Sequence, residues 1–252
     1  MQYNPKYLEY EAIFTKDEIK YLNHLNLIFP LEIFLNEASL VNKMGFDFIY
    51  SSAQIEGNTY TKADTLALLE YGRTAGGKKY SDAKMILNLR KSYNEFIDNE
   101  YDVDLKTLKD FHYILSDDLI SDLERGCIRN SSIGGSMGCD YVPLGDLKRL
   151  DNEIKYLFTI YNKIKEPFDK ALYLHNNLAY LQYFRDVNKR TARIMQNISL
   201  KKSNKMILIP REEFITDYIA GVLRYYETGN YDKYKKFFIK NYEFVANWYK
   251  NR

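Results

Sequence analysis

The chain has 252 residues, of which 46% are hydrophobic, and its 36 basic and 34 acidic side chains leave a formal net charge of +2. This length and apolar content can bury a core, and the balanced charge gives no bulk attraction to nucleic acid or to a membrane surface. We find no apolar run of about 20 residues and no signal peptide, so we expect a cytoplasmic protein. Two cysteines and three histidines predict neither a disulfide framework nor a zinc site.

Long segments with apolar residues at helical spacing dominate the chain, and only 12 glycines and 5 prolines interrupt them. This pattern predicts an all-α protein. Thr61 and Asp64 form a candidate N-terminal capping box, and Gly57 is a natural stop for the helix before it. Helices are predicted over residues 16–37 with a break at Pro30, 40–56, 61–72, 81–99, 105–123, 147–165, 171–184, 212–226 and 231–249.

The pattern changes between residues 125 and 147, where glycines and a proline exclude a helix and β-favouring residues form short runs. We predict a small β-hairpin here, with its tip at residues 134–138. A hairpin that only connects two helices is the simpler alternative.

A polar loop at residues 182–188 separates two predicted helices. Arg190 and Arg193 follow it, three residues apart on one helix face. A helix start offers free N–H groups and a positive dipole, so two arginines beside it form a candidate phosphate site. The alternative is a solvated basic turn.

Glu56 lies in the last turn of its predicted helix, where the negative end of the helix dipole disfavours a carboxylate. We therefore expect a cation close to Glu56. An exposed acid at a frayed helix end is the alternative.

Two histidines lie inside predicted helices. We expect His112 to be a packed core residue. His175 lies seven residues before Gln182, roughly 10 Å along a helix axis, which is too far for proton transfer between these positions. A core role is therefore expected for His175 as well.

The stretch 182–193 resembles the signature of the Fic family, His-x-Phe-x-(Asp or Glu)-Gly-Asn-Gly-Arg-x-x-Arg. Five positions agree with the signature: Phe184, Asp186, Asn188, Arg190 and Arg193. Three depart from it: Gln182 stands in place of the catalytic histidine, and Val187 and Lys189 replace the two glycines.

The resemblance implies ATP and Mg²⁺ as cofactors. In the family the histidine takes a proton from a target hydroxyl, which attacks the α-phosphate of ATP. The resemblance also implies that Asp186 holds Mg²⁺ and that the loop and the residues after it bind the nucleotide, here Asn188, Lys189, Arg190 and Arg193. Gln182 has no ionisable group, so general base catalysis at this position is lost.

The two replaced glycines bear on the phosphate site. Phosphate-cradling loops use glycine because their backbone often has a positive φ, which a β-branched valine tolerates poorly. We therefore expect Val187 to reshape the loop and to weaken nucleotide binding. Lys189 would add a third positive charge beside Arg190 and Arg193 and could hold a phosphate as a point charge.

Two further segments resemble parts of Fic proteins. Ser52-x-x-x-Glu56-Gly57 is similar to the inhibitory helix that some members carry before the core, in which the glutamate pairs with the second arginine of the signature, here Arg193. The hairpin region resembles the flap, whose edge binds an extended stretch of the target protein. The flap residues implied here are Ile133, Gly134, Gly135 and Tyr141.

Taken together, these features predict an all-α Fic-type helical bundle with a small β-hairpin flap. We divide it into an N-terminal helical extension (1–45), an inhibitory-helix segment (46–60), a Fic core (61–240) and a C-terminal helix end (241–252). The expected partner is a target protein, and no nucleic acid or membrane partner is expected. A homodimer is left open.

Three functions remain open from the sequence. The first is a weakened protein adenylyltransferase that uses Asp186 or water as proton acceptor. The second is a pseudoenzyme that binds a nucleotide or a partner protein. The third is removal of AMP from a modified protein, with Glu56 positioning the water.

Overall fold

A computed structural model describes residues 1–134 and 138–252, and the regular structure among these residues is helical. The prediction of an all-α protein is confirmed. The α-helices are α1 (Lys16–Ile28), α2 (Leu31–Asn36), α3 (Ala38–Ile55), α4 (Lys62–Tyr71), α5 (Tyr80–Asp98), α6 (Leu105–Leu115), α7 (Leu147–Lys163), α8 (Pro167–Leu181), α9 (Asn188–Lys202), α10 (Ile215–Thr228) and α11 (Asp232–Lys250). Short 3₁₀ turns cover Pro5–Leu8, Asp122–Glu124 and Glu212–Phe214.

Helices α8 and α9 lie at the centre of the bundle and pack against each other. Every residue from 171 to 181 and from 190 to 201 is buried. A helix that is buried on all its faces must be surrounded by other elements; α7 and α10 contact α8, and α5 and α6 contact α9. The loop between α8 and α9 is therefore held at both ends by the core.

Local capping chemistry sets the ends of α3 and α4. The Thr61 hydroxyl accepts from the Asp64 N–H at 3.1 Å, and the Asp64 carboxylate accepts from the Thr61 N–H at 3.1 Å, which confirms the predicted capping box. Gly57 has φ 79°, and the Asn58 N–H reaches the Ala53 carbonyl at 3.1 Å. The helix that carries Glu56 thus ends where the sequence predicts.

The predicted helix 105–123 is too long. It ends at Leu115, because the Ser116 hydroxyl and N–H both donate to the His112 carbonyl. Asp118, with φ 58°, then turns the chain away from the helix axis. The other predicted helices are present, with ends that shift by a few residues.

The predicted β-hairpin is absent from the described residues of the 125–147 region, where an isolated bridge pairs Val142 with Gln2 instead. Side-chain contacts, rather than strand pairing, hold this segment against the core. The Tyr141 ring is fully buried and stacks on Tyr180 at 4.4 Å, and its hydroxyl donates to the Tyr180 carbonyl at 2.7 Å. Tyr141, expected on a target-binding edge, is therefore a core residue. Gly135 lies outside the described residues.

Among the residues that the structure describes, no helix is both long and apolar enough to span a bilayer.

Candidate active site

The loop that joins α8 to α9 begins and ends with left-handed backbone. Gln182 has φ 45° and Val187 has φ 64°. Our expectation that valine would avoid a positive φ here is wrong. The Val187 side chain is buried in the core, and its carbonyl accepts both the N–H and the hydroxyl of Thr191 at 3.0 Å. These contacts stabilise a conformation that is otherwise unfavourable for a β-branched residue.

Asn188 braces the loop. Its Oδ1 accepts from the Phe184 N–H at 2.9 Å, and its Nδ2 donates to the Phe184 carbonyl at 2.9 Å. This reciprocal pair commits the acceptor and one donor hydrogen of the amide to the backbone. The structure thus gives Asn188, a residue predicted to bind nucleotide, a role in shaping the loop.

His112 supports the loop from below and is a core residue, as predicted. Its ring stacks on the Phe184 ring with centroids 3.7 Å apart. Its Nδ1 accepts from the Gly126 N–H at 2.9 Å, so the proton lies on Nε2, which donates to the Asp186 carbonyl at 3.1 Å. Burial lowers the pKa of His112 to about 4, although the hydrogen bond to Asp186 opposes that shift. The ring is therefore neutral near pH 7.

Glu56 contacts two cations of α9. Its Oε1 lies 2.9 Å from Arg193 Nη2, and its Oε2 lies 3.3 Å from Lys189 Nζ. The Glu56 side chain is only 11% exposed. Burial by itself would raise the pKa of Glu56, but the charges of Arg193, Lys189 and Arg190 outweigh it and lower the pKa to about 2. The carboxylate is therefore ionised, and each of its oxygens contacts a different cation.

Arg193 is fixed by three acceptors. Besides Glu56, its Nη1 donates to the Tyr218 hydroxyl at 2.9 Å, and its Nη2 lies 3.2 Å from the Ser52 carbonyl. Ser52, predicted to belong to the inhibitory segment, thus contacts Arg193 through its main chain. No sequence motif singled out Tyr218.

His175 lies behind this arginine, as a buried residue. Its Nε2 is 3.1 Å from the Tyr218 hydroxyl, and its ring stacks on Tyr234 at 4.5 Å. Burial and the nearby charge of Arg193 hold the pKa of His175 well below its ordinary value. The predicted core role of His175 is confirmed.

Arg190 is a buried cation with few partners. Its side chain is 6% exposed, and its Nη2 lies 3.7 Å from Asp186 Oδ1. Its Nε and Nη1 have no hydrogen-bond partner among the described residues. Buried guanidinium donors are normally satisfied, so this group is suited to an anionic ligand.

Glu56, Lys189 and Asp186 line a cleft of about 500 Å³, with Arg190 and Arg193 buried behind them. One wall is the end of α3 with Glu56, and the floor is the α8–α9 loop. The opposite wall is a face of α10 that presents Tyr218, Ile219, Val222, Leu223 and Tyr226. The cleft therefore combines a charged end with an apolar wall, as small-molecule sites commonly do.

Gln182 lines the cleft at the position where the signature has histidine. Its side chain is hydrogen-bonded to Tyr226, and its carbonyl accepts from Arg129 Nε at 3.0 Å. Arg129 also donates to the carbonyls of Ser131 and Leu144, so one buried guanidinium joins both limbs of the 131–144 segment to position 182. The sequence patterns did not single out Arg129.

Asp186 also lines the cleft, and its Oδ1 lies 3.7 Å from Arg190 Nη2. Its side chain is 65% exposed, and its Oδ1 accepts from the Val187 N–H at 2.6 Å. The described residues contain no cluster of three or more metal-ligating side chains. A Mg²⁺ ion here would take one protein ligand and complete its shell with water and phosphate oxygens, which is typical of nucleotide sites.

Part of the expected flap lies near this acid. Ile133 is half-buried and Gly134 is exposed, and they line a second, shallower hollow with Arg185 and Asp186. The Arg185 guanidinium donates to the Ser131 hydroxyl at 3.0 Å. This hollow adjoins the cleft, because Arg185 and Asp186 line both.

Known proteins resemble this chain in sequence and in fold. The sequence model of the Fic/DOC family matches residues 102–200, which include Arg129, the α8–α9 loop and Arg193 but not Glu56. Proteins named "Protein adenylyltransferase Fic" from Drosophila persimilis and Drosophila melanogaster are 28% and 27% identical over 177 residues. The alignments cover 67% of this chain but 34–35% of the relatives, so the chain spans about a third of their length.

Solved structures share the fold. Fic-1 from C. elegans superposes with a TM-score of 0.72 at 19% identity, covering 93% of this chain and 70% of that one. A Fic family protein from Desulfovibrio desulfuricans gives a TM-score of 0.78 at 18% identity, covering 95% of this chain and 76% of that one. The similarity to these structures extends well beyond residues 102–200.

Proposed function

Because the chain belongs to the Fic family, we propose that it binds ATP in the cleft and transfers AMP, slowly, to a hydroxyl side chain of another protein. Residues 46–60 act as the inhibitory segment in front of a core of residues 61–240. Relatives named as protein adenylyltransferases support AMP transfer as the ancestral reaction. Gln182 sets the rate, because it cannot serve as a general base.

The observation that carries this proposal is the group of cations around the Glu56 carboxylate. Lys189, Arg190 and Arg193 all belong to the first two turns of α9, whose N-terminus adds its own positive dipole. Glu56 lies between two of these cations, and Arg190 has unsatisfied donors. A site that holds a carboxylate in this manner has the charge and the donors to hold a phosphate once the carboxylate leaves.

The transfer itself asks little covalent chemistry of the protein. The target hydroxyl oxygen attacks the α-phosphorus, the bond to the oxygen that bridges the α- and β-phosphates breaks, and pyrophosphate leaves. The hydroxyl proton must go to an acceptor, which in this cleft is water or the exposed carboxylate of Asp186. Loss of a positioned base costs about 100- to 10,000-fold in rate.

Asp186 is the residue that would hold Mg²⁺ bound with the nucleotide, where the ion would supply neutralising charge to the phosphates. When Asp186 holds the ion, its carboxylate is not available as a base, and the proton goes to water. Arg190, a buried guanidinium close to Asp186, would add a second positive charge for the phosphates.

Two other functions compete with this one. A pseudoenzyme that binds nucleotide without transfer is supported by Gln182 alone. Glu56-dependent removal of AMP needs Glu56 as a base, but a carboxylate with a pKa of about 2 that faces two cations is a weak base. That function would require Glu56 to leave both cations first, so we rank it third.

The test is a calorimetric titration of Mg-ATP into the wild-type chain, Glu56→Gly and Glu100→Gly. Glu100 is an exposed glutamate in a different ion pair, with Lys201, and serves as the matched control. We expect Glu56→Gly to bind at least tenfold more tightly than the other two. Transfer is then measured with ATP labelled on the α-phosphate. If none of the three proteins binds, the nucleotide proposal fails; if they bind without any transfer, the pseudoenzyme is the correct function.

A further inference from the structure

Lys189 and Glu56 each stand at the wrong end of a helix for their charge. Glu56 follows the last residue of α3, where the negative end of the dipole disfavours a carboxylate. Lys189 is the second residue of α9, where the positive end of the dipole disfavours an ammonium. Their contact at 3.3 Å relieves both penalties at once.

The two cations that hold Glu56 differ in freedom. The Arg193 side chain is 3% exposed and has Tyr218 and Ser52 as further acceptors. The Lys189 side chain is 40% exposed, and Glu56 is the one acceptor within ion-pair distance of its Nζ in the described part of the chain. Arg193 therefore stays in place when Glu56 leaves, whereas Lys189 loses its partner.

Lys189 also lines the cleft in front of the α9 N-terminus. Its four-carbon stem gives the ammonium several angstroms of reach, and an ammonium binds phosphate as a point charge without demanding one geometry. When Glu56 is displaced by a polyphosphate, the nearest negative charge for Lys189 becomes the ligand that displaced it.

We propose that Lys189 is a shared cation, which holds Glu56 in the ligand-free cleft and binds the polyphosphate of the nucleotide when Glu56 is displaced. This inference rests on the proposed nucleotide site. Lys189, which replaces a signature glycine, then has two opposing effects on the affinity for the nucleotide. Removing its charge weakens the hold on Glu56, which favours the ligand, and removes a ligand contact, which disfavours it.

The opposing effects give a specific signature with Lys189→Gln, which removes the charge and keeps a polar side chain. In the Glu56→Gly background only the ligand contact is lost, so we expect Mg-ATP binding to weaken about three- to fivefold, as a half-exposed charge contact is modest. In the wild-type background the two effects offset, so the change is less than twofold or reversed in sign. Lys202→Gln is the matched control on α9, because Lys202 is 50% exposed and pairs with Asp102 away from the cleft.

Thermal unfolding without ligand tests the other part of the proposal, which is the contact of Lys189 with Glu56. Lys189→Gln should lower the Tm by about 1–2 °C when Glu56 is present, and should leave it unchanged or raise it when Glu56 is already glutamine, because the ammonium at the start of α9 is then unfavourable. Equal Tm shifts in both backgrounds would overturn the hold on Glu56. Equal weakening of Mg-ATP binding in both backgrounds would also overturn the shared role. If no variant binds Mg-ATP, the proposed function fails together with the ligand half, while the Tm cycle still decides the contact with Glu56.

Discussion

The Arg129 guanidinium donates to the main-chain carbonyl of Gln182 at 3.0 Å. The residue at the position of the family histidine is thus held from outside the signature. Gln182 has left-handed backbone at the end of α8, where carbonyl groups lack helical partners. Arg129 supplies a donor there and uses its other two nitrogens on Ser131 and Leu144.

Replacing Arg129 with methionine should lower the free energy of unfolding by about 3 kcal/mol, because it leaves several buried carbonyls without donors. Arg129→Lys should lose less, since an ammonium can satisfy part of this set. Urea denaturation measures both. Arg149→Met is the control at an arginine that is 48% exposed, where a change below about 0.5 kcal/mol is expected. Equal losses at both positions would refute the bracing role of Arg129.

Because His112 is neutral in the folded chain, the free energy of unfolding depends on pH. The pKa of His112 is about 4 in the folded chain against an ordinary value of 6.5. The unfolded chain therefore binds a proton between these values and the folded chain does not, so stability falls as the pH drops from 6.5 to 4. The loss amounts to about 3 kcal/mol.

Urea denaturation across this range should show the dependence in the wild type and a shallower one in His112→Gln, which no longer titrates. His24→Gln, at an exposed histidine, is the control and should keep the wild-type slope. An identical slope in wild type and His112→Gln would place the titrating group elsewhere, and buried His175 would be the next candidate.

Much of the fold follows from the sequence because its signals are local. Helical periodicity, the Thr61 capping box and Gly57 act within a few residues, and the structure agrees with each of them. The signature loop is also local, so its position between two helices could be predicted. The end of α6 was missed because the Ser116 hydroxyl competes for a helix carbonyl, which periodicity does not reveal.

The remaining errors concern interactions between distant residues. Val187 keeps a positive φ because tertiary packing overrides its intrinsic preference. The flap-like segment is held by Arg129 and by Tyr141 packing on Tyr180, and neither contact leaves a pattern in the segment itself. The contact of Lys189 with Glu56 joins residues 133 positions apart, so no local reading could pair them.

The Glu56 carboxylate should give a second and more acidic stability transition. Its pKa is about 2 in the folded chain against an ordinary 4.5, so its pairing stabilises the fold above pH 4.5. That stabilisation, about 3 kcal/mol, is lost as the pH falls from 4.5 to 2. Glu56→Gln should be less stable than the wild type at pH 7 and should lack this transition. Denaturation curves that keep the transition in Glu56→Gln would show that other carboxylates produce it.

Restoring the family residue with Gln182→His tests how much of the site remains competent. Histidine tolerates left-handed backbone better than most residues, so it fits the φ of 45° at this position. In the Glu56→Gly background we expect label from the α-phosphate of ATP to enter protein about 100- to 10,000-fold faster than with Gln182. Gln182→Asn, another amide, is the control and should show no gain. Label from the γ-phosphate should stay in solution. No gain with histidine would mean that the cleft fails at the phosphates, at Val187 and Lys189, rather than at the missing base.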